Sequence, residues 1–427
     1  MKTTPESHDV IVIGAGPAGS TAAALLAEKG RRVLVLEKER FPRYHIGESL
    51  MPYCYFTFER LGVLPKIEAM AFVEKFSVQF VGRDGRVSTP FYFFQHFDHP
   101  AAKTWQVPRA DFDQMLLDNA RAKGAEVREE TEVTRLLTGP GGEVTGVCTR
   151  GRDGAVREHT ARVVIDATGR DALHLRKTGT RRRDPHLNKV AIWTYYRGAK
   201  RDPGLDAGST TVAYLEGKGW FWHIPLRDDV VSSGIVAERD YLFRGTQDPR
   251  AIFEREIRNN PWIEEHLSVG KQFGEYWVTG EYSYRGEHCA ADGLVLVGDA
   301  FAFLDPVFSS GVFLALKTGE LAADAVDAAL ARPGPVTADA FNEYGERVCG
   351  AIETMRKIVY AFYDPKFSFA DLIRARGDQR GPLTDCLIGK IDGPDYAPLF
   401  DAMSRFAALP APLAHGRPRR SLSAAVA

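Results

Sequence analysis

The chain has 427 residues, of which 44% are hydrophobic and 26% charged, as in a globular protein with more than one structural unit. Its 55 Lys and Arg residues nearly balance 56 Asp and Glu residues. This balance excludes strong attraction to nucleic acid or to an anionic membrane. The five cysteines form no C-x-x-C pair, which argues against a disulfide framework and a zinc site. We expect no metal, and a small molecule or a protein as the partner.

A short polar segment precedes the first predicted strand, and no uncharged apolar run approaches the length of a membrane span. We therefore expect no signal peptide, no membrane association and a cytoplasmic location.

Short runs of aliphatic residues predict the buried strands of a parallel sheet at 10–13, 33–36, 163–165 and 294–297. The Ala- and Leu-rich segment 18–29 predicts a helix between the first two strands, which gives a βαβ unit of about thirty residues.

A different pattern follows, in which Phe76, Val78 and Phe80 alternate with polar residues before an Asp84-Gly85 turn. A similar pattern returns at 189–284. The predicted fold class is α/β, with a Rossmann-like parallel sheet, an antiparallel β-sheet domain and a C-terminal helical segment. The predicted division assigns 1–75, 105–188 and 285–345 to the Rossmann-like domain, 76–104 and 189–284 to the β-sheet domain, 346–406 to the helical segment, and 407–427 to a frayed tail.

A glycine-rich motif at 14–19 follows the first strand and begins the helix. Gly14 suits the tight turn, Gly16 allows the backbone to approach a pyrophosphate, and Gly19 allows close packing of helix on strand. Glu37 ends the second strand, where a carboxylate can bind an adenosine ribose. The strand, helix and glutamate together predict a dinucleotide site, which the glycines alone would not.

Two further strands end in similar turns, at Asp166-Ala167-Thr168-Gly169 and at Gly298-Asp299-Ala300. With the first motif they resemble the FAD-binding pattern of the p-hydroxybenzoate-hydroxylase-like superfamily. The glycines at 139–142 precede a strand and no helix, so they indicate a hairpin loop and no resident NAD(P)H domain.

Two motifs narrow the resemblance. Residues 219–225 carry W-x-W-x-I-P, and residues 303–311 carry F-x-x-P-x-x-S-x-G. Together with the blocks 41–52 and 107–113, they are similar to the flavin-dependent halogenases, and most to those that act on phenolic or pyrrolic compounds. The resemblance covers about residues 8–365.

The resemblance implies an enzyme that uses reduced FAD, O₂ and chloride or bromide to make hypohalous acid. It implies that Lys75 receives this oxidant and that a wall formed by Trp220 and Trp222 separates the flavin from the substrate. It further implies a separate flavin reductase and an electron-rich aromatic substrate, free or tethered to a carrier protein, in secondary-metabolite (antibiotic) biosynthesis.

The implied site has three groups. The catalytic residue is Lys75. The implied substrate or halide contacts are Trp220, Trp222, Phe308, Ser309, Ser310 and Gly311. The predicted cofactor contacts are Gly14, Gly16, Ala18, Gly19, Glu37, Lys38, Arg43, Gly47, Glu48, Ser49, Arg109, Val133, Asp166, Gly169, Gly298, Asp299, Pro306, Gly311 and Val312.

Plainer interpretations stand beside these roles. Alternation alone places Lys75 on a solvated strand face, and Ser309 suits an ordinary helix N-cap. Phe308 departs from the tryptophan halogenases, which have a glutamate there. His223 lies on the face opposite Trp222 and is expected to be structural, so no substrate base is assigned. The aromatic residues between 360 and 369 indicate either a substrate entrance or a helical lid.

Three other classes remain open from the sequence. A flavin monooxygenase shares the FAD motifs but lacks the tryptophan pair. A geranylgeranyl-reductase-like enzyme shares the Gly47-Glu48-Ser49 block. A flavin-binding protein without turnover would have no need of Lys75.

Overall fold

The computed structural model describes residues 6–280 and 283–420. The first sheet has eight strands, and its central pairs are parallel, as the aliphatic runs predict. In spatial order its six main strands are Ala290–Ala291, Leu294–Leu296, Val156–Asp166, Glu6–Ile13, Val33–Leu36 and Glu126–Arg128. The hairpin Thr131–Thr138 and Val144–Gly151 extends this sheet by antiparallel pairing with Val156–Asp166, so the glycines at 139–142 do form a hairpin loop.

The helices on this sheet include Pro17–Glu28, Arg109–Ala122 and Ser310–Leu330, of which the first packs against both others. Val10, Val12 and Val35 are fully buried between sheet and helices, which is why these strands lack the alternation of a half-exposed sheet.

A second sheet of seven strands is antiparallel except for one pair. Its order is Lys271–Gly280, Lys189–Arg197, Val230–Glu238, Trp220–Leu226, Thr210–Tyr214, Ser77–Val81 and Phe91–Tyr92. The pairing of Thr210–Tyr214 with Ser77–Val81 is parallel, a departure from the predicted antiparallel pattern. All seven strands fall within 76–104 and 189–284, the ranges assigned to the β-sheet domain.

Two small sheets connect the large ones. Val73–Lys75 pairs with Thr104–Gln106, and Arg181–Arg183, Tyr284–Gly286 and Ala302–Phe303 form the other. The remaining helices are Cys54–Leu61, Leu64–Ala69, Leu173–Thr178, Arg239–Leu242, Pro249–Ile257, Pro261–Ser268, Asn342–Tyr363, Phe369–Ala375, Arg380–Ile388 and Ala397–Met403.

The segment predicted as a frayed tail begins at residue 407, and its described part is held to the protein. The Arg285 guanidinium donates to the Leu413 carbonyl, and Cys289 N–H donates to the Gly416 carbonyl at 3.0 Å. The Pro and Arg content predicted a free tail, but hydrogen bonds hold the chain to the rest of the protein as far as residue 420. The remainder of the predicted tail, 421–427, lies outside the described residues.

Substitution of Gly19 tests how closely the helix Pro17–Glu28 packs against the glycine-rich turn. A Cβ at Gly19 would lie 2.0 Å from the Gly14 carbonyl oxygen, so Gly19→Ala forces backbone to shift. We expect this variant to lose about 2 kcal/mol of unfolding free energy in urea denaturation. The control is Gly350→Ala, at an exposed helix position with no atom within 4 Å of the added Cβ. It should gain about 0.5–1 kcal/mol from helix propensity. Equal effects in the two variants would contradict this packing.

Candidate active site

The glycine-rich turn forms one end of a first cavity of about 490 Å³. Gly14 has φ 98°, and a Cβ there would lie 2.5 Å from the Ala167 carbonyl oxygen, so only glycine suits this position. At Gly16 the nearest atom to an added Cβ is the Arg43 guanidinium at 3.5 Å. The backbone at Gly16 is therefore open to the cavity, and a phosphate could approach it closely.

Most predicted cofactor contacts line this cavity: Gly14, Gly16, Ala18, Glu37, Lys38, Arg43, Gly47, Glu48, Ser49, Arg109, Val133, Gly169, Asp299, Pro306, Gly311 and Val312. Three do not. Gly19 packs against Gly14, and Gly298 lies against Ala18 and Ala315.

Asp166 is the third exception, and its carboxylate forms hydrogen bonds within its own turn. It is fully buried, accepts hydrogen bonds from Thr168 N–H at 3.1 Å and Thr168 Oγ1 at 2.6 Å, and accepts one from His174 N–H at 2.9 Å. Asp166 therefore lies outside the lining of the first cavity, and its carboxylate holds the turn that presents Gly169.

A carboxylate and an ion-pair network fix the rim of the first cavity. Glu37 accepts from the Ala15 N–H at 2.8 Å and so holds the glycine-rich turn. Arg109 donates to buried Asp113 at 2.8 Å and to the Ile46 carbonyl at 2.8 Å. Arg43 reaches the same Asp113 at 3.2 Å. Such buried, paired guanidinium groups hold the backbone near residue 46 in one position.

The tryptophan strand Trp220–Leu226 is buried on both faces. Trp220, Trp222 and Ile224 all line the first cavity, as their common parity predicts. The Trp222 indole N–H donates to Ser232 Oγ at 3.1 Å, which fixes the ring. His223 lies on the other face against Trp262 and His266, in agreement with its expected structural role. Burial lowers the pKa of His223 to about 3.

A second cavity of about 880 Å³ lies beside the first. Its wall is largely apolar and aromatic, and among the residues that line it are Val78, Phe80, Phe91, Phe93, Phe308, Phe362, Phe367 and Phe369. Three of the aromatic residues between 360 and 369 therefore line a cavity, whereas Tyr360 instead donates to Asp184.

Lys75 lies at the inner wall of the second cavity and is only 2% exposed. Its ammonium donates to Ser49 Oγ at 2.8 Å and to the Leu50 carbonyl at 3.1 Å. The Phe93 ring centroid lies 5.8 Å away. The alternation of residues predicted that Lys75 would be exposed to solvent, and this prediction is wrong. Lys75 lies on the short strand Val73–Lys75, which pairs with Thr104–Gln106, and its side chain is turned inward.

Burial without a carboxylate partner lowers the pKa of Lys75 to about 7 from the ordinary 10.5. Both hydrogen-bond acceptors of Lys75 are neutral oxygens. Near neutral pH the side chain is therefore divided between ammonium and free amine. A lysine in this state can act as a nucleophile at physiological pH.

The wall between the two cavities is formed by Thr210, Val307 and Ser309, which line both. Trp220 and Trp222 line only the first, so the predicted indole partition is not the wall that the structure has. One hydrogen-bonded pair crosses this wall, because Ser49 lines the first cavity and Lys75 the second. Ser49 also bonds Thr210 at 2.8 Å.

Residues 303–312, called the halide loop after the role that the resemblance implies for them, contribute to the lining of both cavities. Ser309 has φ 57° and makes no side-chain capping bond, so the ordinary N-cap interpretation does not hold. The helix Ser310–Leu330 begins here, and its first-turn N–H groups can attract an anion. Nothing lies closer than 4.0 Å to an added Cβ at Gly311. Ser310 is buried and lines neither cavity, so only its backbone is available.

Phe308 points into the second cavity and contacts Phe362 and Phe369 edge-on. The neighbouring Asp305 accepts from the Tyr363 hydroxyl at 2.8 Å, and this hydroxyl accepts from the Trp220 indole N–H at 2.8 Å. Tyr363 therefore ties the halide loop to the tryptophan strand. The sequence motifs did not predict this link through Tyr363, although its two partners, Asp305 and Trp220, belong to those motifs.

No metal-binding group of three or more His, Cys, Asp or Glu side chains occurs in residues 6–280 and 283–420. Within the same residues, no helix has the length and apolar character needed to cross a membrane. All five cysteines are buried and free.

The first cavity fits FAD by its own chemistry. Its glycine-rich turn, a helix N-terminus at Pro17–Glu28 and Glu37 suit a pyrophosphate and a ribose, and the same cavity is also lined by Trp222 and Val312. The parallel sheet with this cavity defines an FAD-binding oxidoreductase.

Comparison with known proteins identifies the family. The family model described as tryptophan halogenase matches residues 9–103 and 84–367. The chain is 34% identical over 330 residues to the 1H-pyrrole-2-carbonyl-(peptidyl-carrier protein) brominase of Pseudoalteromonas luteoviolacea, which covers 76% of this chain and 78% of that protein. The chain belongs to the flavin-dependent halogenases, enzymes that use FAD and a halide.

Other relatives agree with this. The tryptophan 2-halogenase of Chondromyces crocatus is 34% identical over 369 residues, with 84% of this chain and 68% of that protein covered. The solved flavin-dependent brominase Bmp2 aligns with a TM-score of 0.84 at 28% identity, over 94% of this chain and 97% of that one. The myxobacterial chondrochloren halogenase CndH aligns with a TM-score of 0.79 at 32% identity over 94% and 97%.

The pKa of Lys75 makes a prediction about stability. Between pH 7 and 10.5 the unfolded chain binds a proton at Lys75 that the folded chain does not. The free energy of unfolding of the wild type therefore rises with pH over this range. Below pH 7 both states are protonated, and the buried ammonium carries its full cost. Lys75→Met should therefore be more stable than wild type below pH 7, and this advantage should shrink by about 1 kcal/mol per pH unit above it. Urea denaturation at several pH values measures this difference. A difference that is constant with pH would contradict a lowered pKa.

Proposed function

We propose that this enzyme halogenates an electron-rich aromatic ring in the second cavity with hypohalous acid made in the first. The observation that carries this proposal is the buried Lys75 amine, which lines the second cavity and donates to Ser49 of the first. FAD, when bound and reduced, supplies the two electrons that O₂ needs to oxidise chloride or bromide to hypohalous acid. A separate flavin reductase supplies the reduced cofactor in this proposal.

The halide loop would hold the halide. The backbone N–H groups of Gly311 and Val312 stand in the first turn of a 21-residue helix, and both residues line the first cavity. Ser309 lines both cavities and leaves space for a small anion or oxidant between them. Trp220 and Trp222 would confine the flavin ring from the side.

Lys75 would receive the oxidant. In its free-amine form it attacks the halogen of hypohalous acid, which forms an N–halogen bond and releases water. The aromatic ring then takes the halogen and loses a proton, and the amine is restored. The lowered pKa of Lys75, about 7, leaves enough free amine for this reaction at neutral pH.

The second cavity favours an apolar, electron-rich ring. Phe308 stands where tryptophan halogenases have a glutamate, so the ring must lose its proton without a carboxylate at this position. Phenols and pyrroles need less assistance than most rings, because their heteroatom stabilises the cation that halogen addition produces. This suits an aromatic wall that includes Phe93, Phe308 and Phe362.

We further propose that the ring reaches Lys75 while attached to a carrier protein, in a secondary-metabolite pathway in the cytoplasm. Two relatives, 34% and 27% identical, are named as halogenases of a pyrrole-2-carbonyl group on a peptidyl-carrier protein. Arg83, Ser88 and Ser368 line the second cavity, so a cation and two hydroxyls are available there to the phosphate of a carrier arm.

The first experiment separates oxidant formation from oxidant use. Purified protein receives FAD, a flavin reductase with NADH, bromide and O₂, with a panel of phenols and carrier-tethered pyrroles. We expect Lys75→Met to lose at least about a hundredfold in halogenated product while flavin oxidation continues at the wild-type rate. Chromatography with mass spectrometry measures the product.

The matched control is Lys103→Met, because Lys103 directly precedes the strand Thr104–Gln106, which pairs with Val73–Lys75. Lys103 is partly exposed and pairs with Glu74, so product formation should stay close to wild type. Halogenation that persists in Lys75→Met would contradict the role of this amine. A hydroxylated product that needs no halide would instead identify a monooxygenase.

The second experiment tests the carrier. Arg83→Glu should lower turnover of a tethered pyrrole about fivefold and leave a small free phenol unaffected, because only the tethered substrate brings a phosphate to the mouth of the cavity. The control is Arg374→Glu, since Arg374 is 77% exposed at its side chain and does not line the cavity. Equal turnover of free and tethered substrates, with no effect at Arg83, would reject carrier presentation.

A further inference from the structure

A buried carboxylate faces the first cavity beside the expected flavin position. Glu48 lines this cavity and is 4% exposed. Its Oε1 accepts the Tyr195 hydroxyl at 2.6 Å. Its Oε2 makes no hydrogen bond of good geometry among the residues that the structure describes, although the Ser232 hydroxyl lies close enough to lower the pKa of the carboxyl group. A buried carboxylate oxygen without a good hydrogen bond is costly to keep, which points to a function for it.

Two hydroxyls and an indole continue from Glu48 towards solvent. The hydroxyl oxygens of Tyr195 and Tyr44 lie 3.2 Å apart, and the Trp193 indole N–H donates to the Tyr44 hydroxyl at 2.6 Å. Tyr44 is 47% exposed and stacks on Trp277 with 4.9 Å between ring centroids. Tyr44 also lines the first cavity, so the series runs from a partly exposed tyrosine at this cavity to the buried carboxylate that faces it.

Donor counting fixes the direction of these bonds. The Trp193 N–H can only donate, so Tyr44 accepts from it and has its own proton free to donate. The Tyr195 proton goes to the Glu48 carboxylate, which as an anion can only accept. Tyr44 must then donate to Tyr195. In this arrangement every hydroxyl donates once, and each points one step closer to Glu48.

The family's reaction requires protons at a buried place. Anionic reduced FAD, O₂, a halide ion and two protons give oxidised FAD, hypohalous acid and water. Both protons are consumed at the flavin, away from bulk solvent. A side chain that donates protons at such a place raises rates substantially in enzymes, typically by about 10²–10⁴-fold.

We propose that Tyr44, Tyr195 and Glu48 form a proton path from solvent to the first cavity, with Glu48 as the group that donates to the reacting flavin. A proton taken up at the Tyr44 oxygen releases the Tyr44 proton to Tyr195, which releases its own to Glu48 Oε1. Rotation of the carboxyl group then turns this proton towards the cavity, where it is donated, and the carboxylate is protonated again through the two tyrosines.

The protonation of Glu48 supports this path. Burial raises the pKa of Glu48 to about 7, while the hydroxyls of Tyr195 and Ser232 and the guanidinium of Arg109 act in the opposite direction. At neutral pH the carboxyl group can therefore both bind and release a proton. Burial also raises the pKa values of Tyr44 and Tyr195, so both remain neutral hydroxyls that can relay.

The first test measures the carboxyl group itself, in protein free of flavin. Infrared difference spectroscopy against pH should contain a protonated-carboxyl band that titrates near pH 7 and disappears in Glu48→Gln. Tyr195→Phe should move this titration to higher pH, because the anion loses a hydrogen bond. A Glu48 that is ionised throughout pH 5–9 would overturn the proposal.

The second test measures delivery of protons. Protein loaded with reduced FAD is mixed with O₂ and bromide in a single turnover, and a small nucleophile traps hypobromous acid. In enzyme saturated with reduced FAD, Tyr195→Phe and Glu48→Gln should each slow oxidant formation about a hundredfold, and the ionisation near pH 7 should disappear from the rate profile. The trap replaces the aromatic substrate, so this result is independent of the proposed halogenation site.

The matched control is Tyr196→Phe, because Tyr196 neighbours Tyr195 in the strand but packs in the core on the opposite face of the sheet. It should form oxidant at the wild-type rate. Wild-type rates and pH profiles in Tyr195→Phe and Glu48→Gln would overturn the proton path. A loss of FAD affinity with an unchanged rate in the loaded enzyme would also overturn it, since Glu48 would then serve binding alone.

Discussion

The amine of Lys75 is held between two neutral oxygens, away from water and from any carboxylate that could fix its charge. A lysine in this position costs stability as an ammonium ion, and its pKa falls to about 7 as a result. Several elements meet to produce this environment: the paired strands Val73–Lys75 and Thr104–Gln106, and the segment that carries Ser49 and Leu50. The chemistry proposed for this enzyme depends on that burial.

The two cavities share a thin wall, and the sequence motifs of the family converge on it. Ser309 of the halide loop and Thr210 of the second sheet line both sides, and the bond from Lys75 to Ser49 crosses between them. A small neutral oxidant needs only a narrow passage, whereas an aromatic ring needs a wide one. The arrangement thus suits transfer of hypohalous acid while substrate and flavin remain apart. In our proposal, the Glu48 carboxyl group supplies protons on the first-cavity side of the same wall.

Much of the fold could be predicted because its signals are local. The first two aliphatic strands, the glycine-rich turn and Glu37 lie within about thirty residues, and the structure pairs and connects them as expected. The position of Asp166 outside the cavity lining could not be predicted, because a strand followed by an Asp turn looks the same whether the carboxylate contacts a ligand or caps its own turn, as it does with Thr168. The inward position of Lys75, the wall at Thr210 and the Tyr195–Glu48 contact depend on pairs at least 25 residues apart in the chain. The periodicity of hydrophobic residues along a sequence does not predict contacts between residues so far apart in the chain.

The central claim is that the halogen reaches the Lys75 nitrogen before it reaches any substrate. The most direct measurement is peptide mass spectrometry after one turnover with bromide and no aromatic acceptor, quenched rapidly. We predict that hydrogen is replaced by bromine at Lys75 and not at Lys103. Bromine on Trp220 or Trp222 instead, or oxidant released to solvent equally by wild type and Lys75→Met, would contradict the account.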